Sequence, residues 1–546
     1  VPARDWYDAG QALVLDYLTR VRGMLESRGL REPGVMMFTN DSPFTIVATA
    51  ISSQRNILVH DGRIKNQVGF AGLDTYPKQL PDTPGSTGGP LHNFPFQADY
   101  DTKLYATWNT IYTKDSDPDH RVAWGAELQG GFYSFPGGVR PNVAPEQTEQ
   151  VLVKTIGHGL KGASFYVVRG GLNLDGSDYD FQAAIGTDGT LRPRYEVMQR
   201  WGALLKTYGD ELARASEVED PIAILQDISY AVPQAGTNDT HQLVYTNEYP
   251  AVYGWLAAAG YNPAVLDAKL APSLQRYKMV VFLAPKMVDP ETARLLTDYV
   301  AGGGMLVQLL DPGSFGLDGK ADTNVTRLSS LFPVQSAGKW DWPGLPVTLR
   351  SGDVNSRIPG ADGTMKTYWY QTYWEPLPGA SSTPLLMERK AILGSDGAPV
   401  ALRFDSTGAG PRVLIGAHVA SIFNTDGYYS ADDAELLAKR TFARYLAGVA
   451  TIKPAVRATG LRELAWGRKV DDIVWIFVEN DHADGTLEIS IEDPSRLGLI
   501  AGRTYEVVDA LRGTVLGIAA YADLVGSPLK VVLKQYAAAV LRLSPQ

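Results

Sequence analysis

The chain has 546 residues, enough for about three to four domains of ordinary size. Hydrophobic residues make up 45% and charged residues 20%, a globular composition that excludes a disordered or fibrous chain. A net charge of −10 with no basic run argues against a nucleic-acid or anionic-membrane partner. Without cysteine there are no disulfides or thiolate metal sites, and the compartment, cytoplasmic or secreted, stays open. The seven histidines are scattered without zinc-type spacing, so neither a metal nor a cofactor is expected. No apolar run is long enough to span a bilayer. The first residue is Val1 rather than Met, which reads as a processed or truncated product.

Residues 8–29 read as an amphipathic helix, with Val14, Leu18, Val21 and Leu25 at helical spacing. The apolar run at 35–38 predicts a buried strand ending in Thr39, Asn40 and Asp41. The pattern recurs at 67–77, ending in Asp74 and Tyr76, and at 121–131, ending in Glu127 and Gln129. After a helix-like stretch at 145–160 comes another strand at 163–171, then a helix at 192–214. Strands alternating with helices imply a parallel sheet, and strand ends rich in polar residues imply a TIM barrel with its site at the C-terminal face. Only four such strands precede the change of pattern near residue 215. Apolar strands at 222–228, 241–247, 279–285 and 305–311, with helices at 249–260 and 290–301, predict a doubly wound α/β domain. From about 325 the chain turns β-rich around one helix at 430–448, and residues 455–546 read as a β-sandwich. The expected organisation is half a barrel over 1–212, a flavodoxin- or amidotransferase-like domain over 213–322, a β-rich domain over 323–454 and a sandwich over 455–546.

Hydrolysis of a glycoside with retention needs a carboxylate nucleophile and an acid/base carboxyl about 5–5.5 Å apart. Glu127 fits the first role: it ends a buried strand, and Gly130 and Gly131 after it would let a sugar approach the backbone. Tyr76, Tyr133 and Tyr166 are placed to pack on apolar sugar faces or to orient the carboxylate. On these residues alone, a salt-bridged structural Glu remains the competing reading.

Four strand-end motifs resemble those of glycoside hydrolase family 35, the β-galactosidases. They are MFTND at 37–41, GLDTYP at 72–77, AELQGGFYSFPGG at 126–138, and FYVVRGGLN at 165–173 followed by SDYDFQAAIGTDGTLRPRY. The resemblance covers about residues 10–205 and implies the fifth to eighth strands of a (β/α)8 barrel. It places Glu127 on the family's nucleophile and makes Tyr76, Asn40, Asp74, Gln129 and Tyr166 substrate-binding or supporting residues. Leu172 and Leu174 depart from the pattern, at positions usually Thr and aromatic. The acid/base Glu of that family follows an Asn on the fourth strand, which this chain does not contain. The expectation is therefore an N-terminal polypeptide that completes the barrel and supplies the acid/base. Family relatives also suggest a homo-oligomer.

Three further features have bland readings. Asn247-Glu248 mimics an acid/base pair but lies beyond the barrel strands, and reads as a strand-to-helix turn. The aromatic run at 368–374 is either a sugar-stacking surface or a packed strand. LNLDGSD at 172–178 has calcium-loop composition without EF-hand spacing. The expected activity is hydrolysis of terminal β-linked galactose. The alternatives are another exo-β-glycosidase, such as an exo-β-glucosaminidase, or a non-catalytic carbohydrate-binding or assembly subunit.

Overall fold

The computed structural model describes residues 2–30, 38–41, 70–75, 95–112, 123–131, 143–227, 241–268, 271, 273–284, 288–313, 328–340, 351–358, 364–390, 395–420, 423, 428 and 431–546. The chain opens on a helix, Pro2–Glu26. Four strands then form one parallel sheet in sequence order: β1 (Phe38–Asp41), β2 (Phe70–Thr75), β3 (Ala123–Gln129) and β4 (Leu160–Tyr166). Helix Gln97–Tyr112 follows β2, Pro145–Gly157 follows β3 and Pro193–Arg214 follows β4. Pro145 and Pro193 open their helices where no N–H is needed, and Gln147 Oε1 accepts the Ala144 N–H at 2.9 Å. These are the four parallel strands expected from sequence, and among the described residues the last three are each followed by a helix. Among the described residues the sheet is not closed: β1 and β4 each pair on one side only.

The second sheet has eleven strands. Its parallel part runs Ala264–Asp267, Ile222–Gln226, Met279–Ala284, Met305–Leu310, Ala409–Ile415, which is the 2-1-3-4-5 order of flavodoxin-like folds. Antiparallel strands drawn from residues 334–406 extend it beyond Ala409–Ile415, so one sheet runs across residue 322. Helix Pro290–Ala301 starts on an Asp289 cap and helix Asp433–Val449 on an Asp432 cap. The predicted strand at 241–247 is instead the first half of a helix, His241–Ala258. Its second half is buried on nearly every side (Tyr249, Val252, Trp255, Leu256), so it has no polar face to reveal a helical period. Glu248 therefore sits within a helix and not at a strand end.

A six-stranded and a three-stranded antiparallel sheet close over a common core to form the C-terminal sandwich. Its edge strand, Ser216–Val218, comes from the chain just leaving the barrel helix Pro193–Arg214 and pairs with Glu463–Val470. The aromatic run at 368–374 splits: Trp374 is buried in the core, and Tyr373 is half-buried, donating to Glu388 Oε1 at 3.0 Å. No helix among the described residues is long and apolar enough to cross a membrane.

Candidate active site

Leu73 and Leu128 belong to the core shared with the outer helices, and Phe165 packs against it. Side chains alternate along a strand, so the residues between them face the other way. Register pairs Asp74 with Glu127 and Gln129 with Tyr166. Asp74, Glu127, Gln129 and Tyr166 thus share the inner face at the C-terminal ends of adjacent strands, where parallel α/β folds carry their sites. The backbone of Asn40 pairs with Gly72, one position before Leu73. Tyr76 and Tyr133 lie outside the described residues.

Glu127 is half-buried between the buried residues Ala126 and Leu128. Gln129 is buried, and its Nε2 donates to the Gly131 carbonyl at 2.7 Å, which fixes the turn after β3. The glycines of that turn have a different use from the one expected. A Cβ on Gly131 would collide with the carbonyls of Phe181 and Gln182, and one on Gly130 would sit 3.0 Å from the Val167 carbonyl. The chain's own backbone fills the space that was read as room for a sugar.

The segment packed on Gly131 is held in an unusual conformation. Phe181 and Gln182 have φ of +48° and +54°, a region that costs L-residues energy unless the surroundings impose it. Arg194 imposes it. Its guanidinium donates to the Gln182 and Val143 carbonyls and, at 2.9 Å, to Thr148 Oγ1. Gln182 Oε1 in turn accepts the Val143 N–H at 3.0 Å. Burial pulls the Arg194 pKa down to about 10, with Arg192 adding to the effect. The ordered segment presents an aromatic group beside the β3 end. Tyr166, Tyr179 and Phe181 meet with ring centroids 4.4 to 6.1 Å apart. Arg194→Ala leaves two carbonyls without their donor and is expected to cost about 3 kcal/mol or more. Urea unfolding measures it, and a loss under about 1 kcal/mol would mean that the segment holds itself. Beyond this group the chain turns in a hairpin, Gly171–Leu172 against Asp178–Tyr179, with Leu174 fully exposed at its tip. Asp175 Oδ1 closes that tip by accepting the Ser177 N–H at 2.9 Å and its hydroxyl at 2.6 Å.

The sequence reading passed over helix Gln97–Tyr112 and the buried charges it carries. Lys154 Nζ lies 3.1 Å from both Asp99 and Glu479 and donates to the Pro95 carbonyl at 2.6 Å; all three side chains are fully buried. His158 sits between Asp99, at 3.1 Å, and Glu217, at 2.7 Å, and stacks on Trp466. Lys103 reaches Glu217 at 2.8 Å. Burial alone would raise the Asp99 pKa, but Lys154 and His158 outweigh it and hold the carboxyl below the usual range. For Glu479 burial prevails over Lys154, and the pKa moves well up. These groups join the barrel helices to the sandwich from outside the sheet, which marks an ion-pair network rather than a substrate site. Among the described residues, the carboxyl end of the first α/β strand is covered by helix Gln97–Tyr112. Tyr100 of helix Gln97–Tyr112 donates to Gln226 at the end of the first α/β strand, and Thr107 to the Val265 carbonyl at 2.6 Å.

No protein-family model matches the chain, and no curated protein sequence does. Solved structures match its fold. A β-galactosidase from Rahnella sp. R3 has a TM-score of 0.69 at 14% identity, over 100% of this chain and 68% of that one. A catalytic mutant of a GH42 β-galactosidase from G. stearothermophilus gives 0.65 at 14% identity, over 94% and 64%. A β-galactosidase from Bacillus circulans sp. alkalophilus gives 0.63 at 16% identity, over 88% and 61%. The chain therefore spans 61% to 68% of the length of these three. The strand-end motifs pointed to family 35; the match that carries a family name is to family 42, and family 35 is not supported. At these identities the likeness is one of architecture: the chain has the fold of the β-galactosidases it superposes on, from its barrel strands through to its sandwich.

Proposed function

We propose that this chain is the nucleophile-bearing part of a retaining exo-β-glycosidase of the family 42 type that releases terminal β-linked galactose. The observation that carries the reading is the inner-face row of Asp74, Glu127, Gln129 and Tyr166 at the C-terminal ends of parallel strands, in a fold shared with β-galactosidases. Glu127 attacks the anomeric carbon, forming a glycosyl ester as the bond to the aglycone oxygen breaks. An acid/base Glu protonates that oxygen, then takes a proton from the water that attacks the same carbon and releases Glu127. Tyr76 orients Glu127. Asn40, Asp74 and Tyr166 contact the sugar or support those that do, and Gln129 holds the turn.

The acid/base comes from a complementary N-terminal stretch of four strands that joins the free sides of β1 and β4. Two features support this. An open parallel sheet exposes unpaired backbone groups at both edges. The first helix also leaves Leu13, Tyr17 and Met24 exposed along one side, an apolar stripe of the kind a helix buries against a neighbour. A homo-oligomer completes the proposal, on the family resemblance read from the sequence alone.

A panel of aryl β-glycosides tests the reading on material in which the complementary strands are present. Turnover of the β-galactoside well above that of the β-glucosaminide, β-glucoside and β-mannoside is the expected result. Preference for the glucosaminide would move the proposal to an exo-β-glucosaminidase. Saturable galactose binding with no turnover of any member would identify a non-catalytic binding subunit.

A further inference from the structure

A cavity of about 610 Å³ opens where the barrel half, the α/β sheet and the sandwich meet. It lies at the N-terminal ends of the barrel strands, beside Gly159 and Lys161, whereas Glu127 sits toward the C-terminal end of its strand. Its size suits a small organic ligand.

The charges that line it do not balance locally. Each lining carboxylate already has a cation. Glu217 and Glu219 take Lys103, at 2.8 and 3.4 Å, while Asp220 and Asp493 take Arg496, at 2.7 and 3.2 Å. Five further cations have no carboxylate partner among the described residues: Arg468, Lys161, Arg276, Lys278 and Lys453. They concentrate here although the whole chain carries −10.

Arg468 makes the case more than a surface coincidence. Its side chain is 2% exposed, its two terminal nitrogens donate to the Ile156 and Ala215 carbonyls, and its Nε has no hydrogen-bond partner among the described residues. Burial pulls the Arg468 pKa down to about 10 against the pull of Glu217, and that carboxylate is already shared by Lys103 and His158, so a further anion would lower the cost of the buried guanidinium. Lys161, half-buried beside it, donates to the Ala213 carbonyl. Burial first, then the Arg468 charge, pulls Lys161 down to about 8. Arg276, Lys278 and Lys453 are exposed, at the solvent side of the same cavity. The arrangement is a buried cation at the floor, a second above it and three at the mouth.

We infer that this cleft is a binding site for a small oxyanion carrying two or more negative charges, a phosphate ester or a polycarboxylate, remote from Glu127. A ligand there contacts all three parts of the chain, and by mass action it stabilises their mutual arrangement. The site stands whether or not Glu127 is a nucleophile.

Titration calorimetry of the full chain with inorganic phosphate, glucose 6-phosphate, citrate and neutral glucose tests the inference, with chloride at matched ionic strength as control. At least one of the three anions is expected to bind saturably and to raise Tm, with no effect of glucose. Response to phosphate and glucose 6-phosphate identifies the phosphate source, and response to citrate alone the carboxylate source. The double variant Lys161→Met, Lys278→Met removes two cations that form no ion pair among the described residues and keeps the buried Arg468; it is expected to weaken binding at least about tenfold with its own unliganded Tm little changed. No saturable binding by any anion, or binding that is equal in the double variant, would overturn the site.

Discussion

Replacing Glu127 by Gln is expected to lower turnover of an aryl β-galactoside on the order of 10⁴-fold or more, with the urea midpoint unchanged. The two expectations have one source. Glu127 is half-buried on the inner face, and outward packing at that strand end falls to Leu128 and Thr75. An isosteric amide keeps the volume and the strand, so stability is preserved. The amide does not form the glycosyl ester, so the first chemical step is lost. A salt-bridged structural Glu would behave in the opposite way, with stability down and turnover little altered. Asp74→Asn is the matched comparison, because Asp74 is the register partner of Glu127 on the same face. In the proposed mechanism it supports the site without forming the ester, and its effect is expected to be smaller by at least about tenfold.

The largest effect on stability is expected at Lys154. Lys154→Met leaves Asp99 and Glu479 buried without the cation between them, a change that typically costs about 3–5 kcal/mol. Met fills the stem's volume, so the loss reports charge and not a cavity. The pH dependence follows from the direction of each shift. In the native protein the Asp99 pKa is depressed, so its stabilisation is present above about pH 4 and is lost as pH falls through the native value. The Lys154 pKa is raised, by Asp99 and Glu479 against burial, so its stabilisation is present below about pH 10 and is lost only as pH rises through the native value. In the variant burial acts on Asp99 without opposition from Lys154, and that carboxyl takes up a proton more readily, whereas burial already holds the Glu479 pKa well up in the native protein. The gap between the two proteins is therefore expected to narrow as pH falls from 7 to 4. Urea unfolding across that range measures it; a gap under about 1 kcal/mol at pH 7 would show that the network is not what ties the sandwich to the barrel helices.

The elements legible in the sequence are those with one apolar face or one strong terminus. Helix Pro290–Ala301 was bounded correctly by Pro290 and the glycines 302–304, and Gly303 does take the left-handed φ of +93° that a helix end requires. The barrel strands were legible as short apolar runs with polar ends. Helices buried on all sides were not. His241–Ala258 looked like a strand, because continuous burial removes the period that distinguishes the two. Gln97–Tyr112 looked like nothing, because Asp99, Asp101 and Lys103 mimic a solvated loop while each is 2% exposed or less. Lys154, which pairs with Asp99, and Glu217, which pairs with Lys103, lie more than fifty residues from them, and no local pattern encodes that pairing.

The row of strand-end residues was legible in part. Each was read as a polar or aromatic residue at the end of a short apolar strand, and the register of the structure then sets Asp74 beside Glu127 and Gln129 beside Tyr166. The glycines beside them were misread because their neighbour, the Phe181–Gln182 segment, is brought there by Arg194 through contacts between distant residues. Family 35 finds no support beyond those motifs, which report four strand ends alone, whereas the structural match extends over the α/β sheet and the sandwich as well.

The most direct test of the central claim is peptide mapping after inactivation with a 2-deoxy-2-fluoro β-galactoside bearing a good leaving group, on turnover-competent material. Such a reagent slows the second step more than the first, so the glycosyl ester accumulates. The account predicts a single added fluorogalactosyl mass on the peptide containing Ala123–Gln129, localised by fragmentation to Glu127. A stable adduct on any other carboxylate of this chain, or turnover-competent material that never forms one, would contradict it.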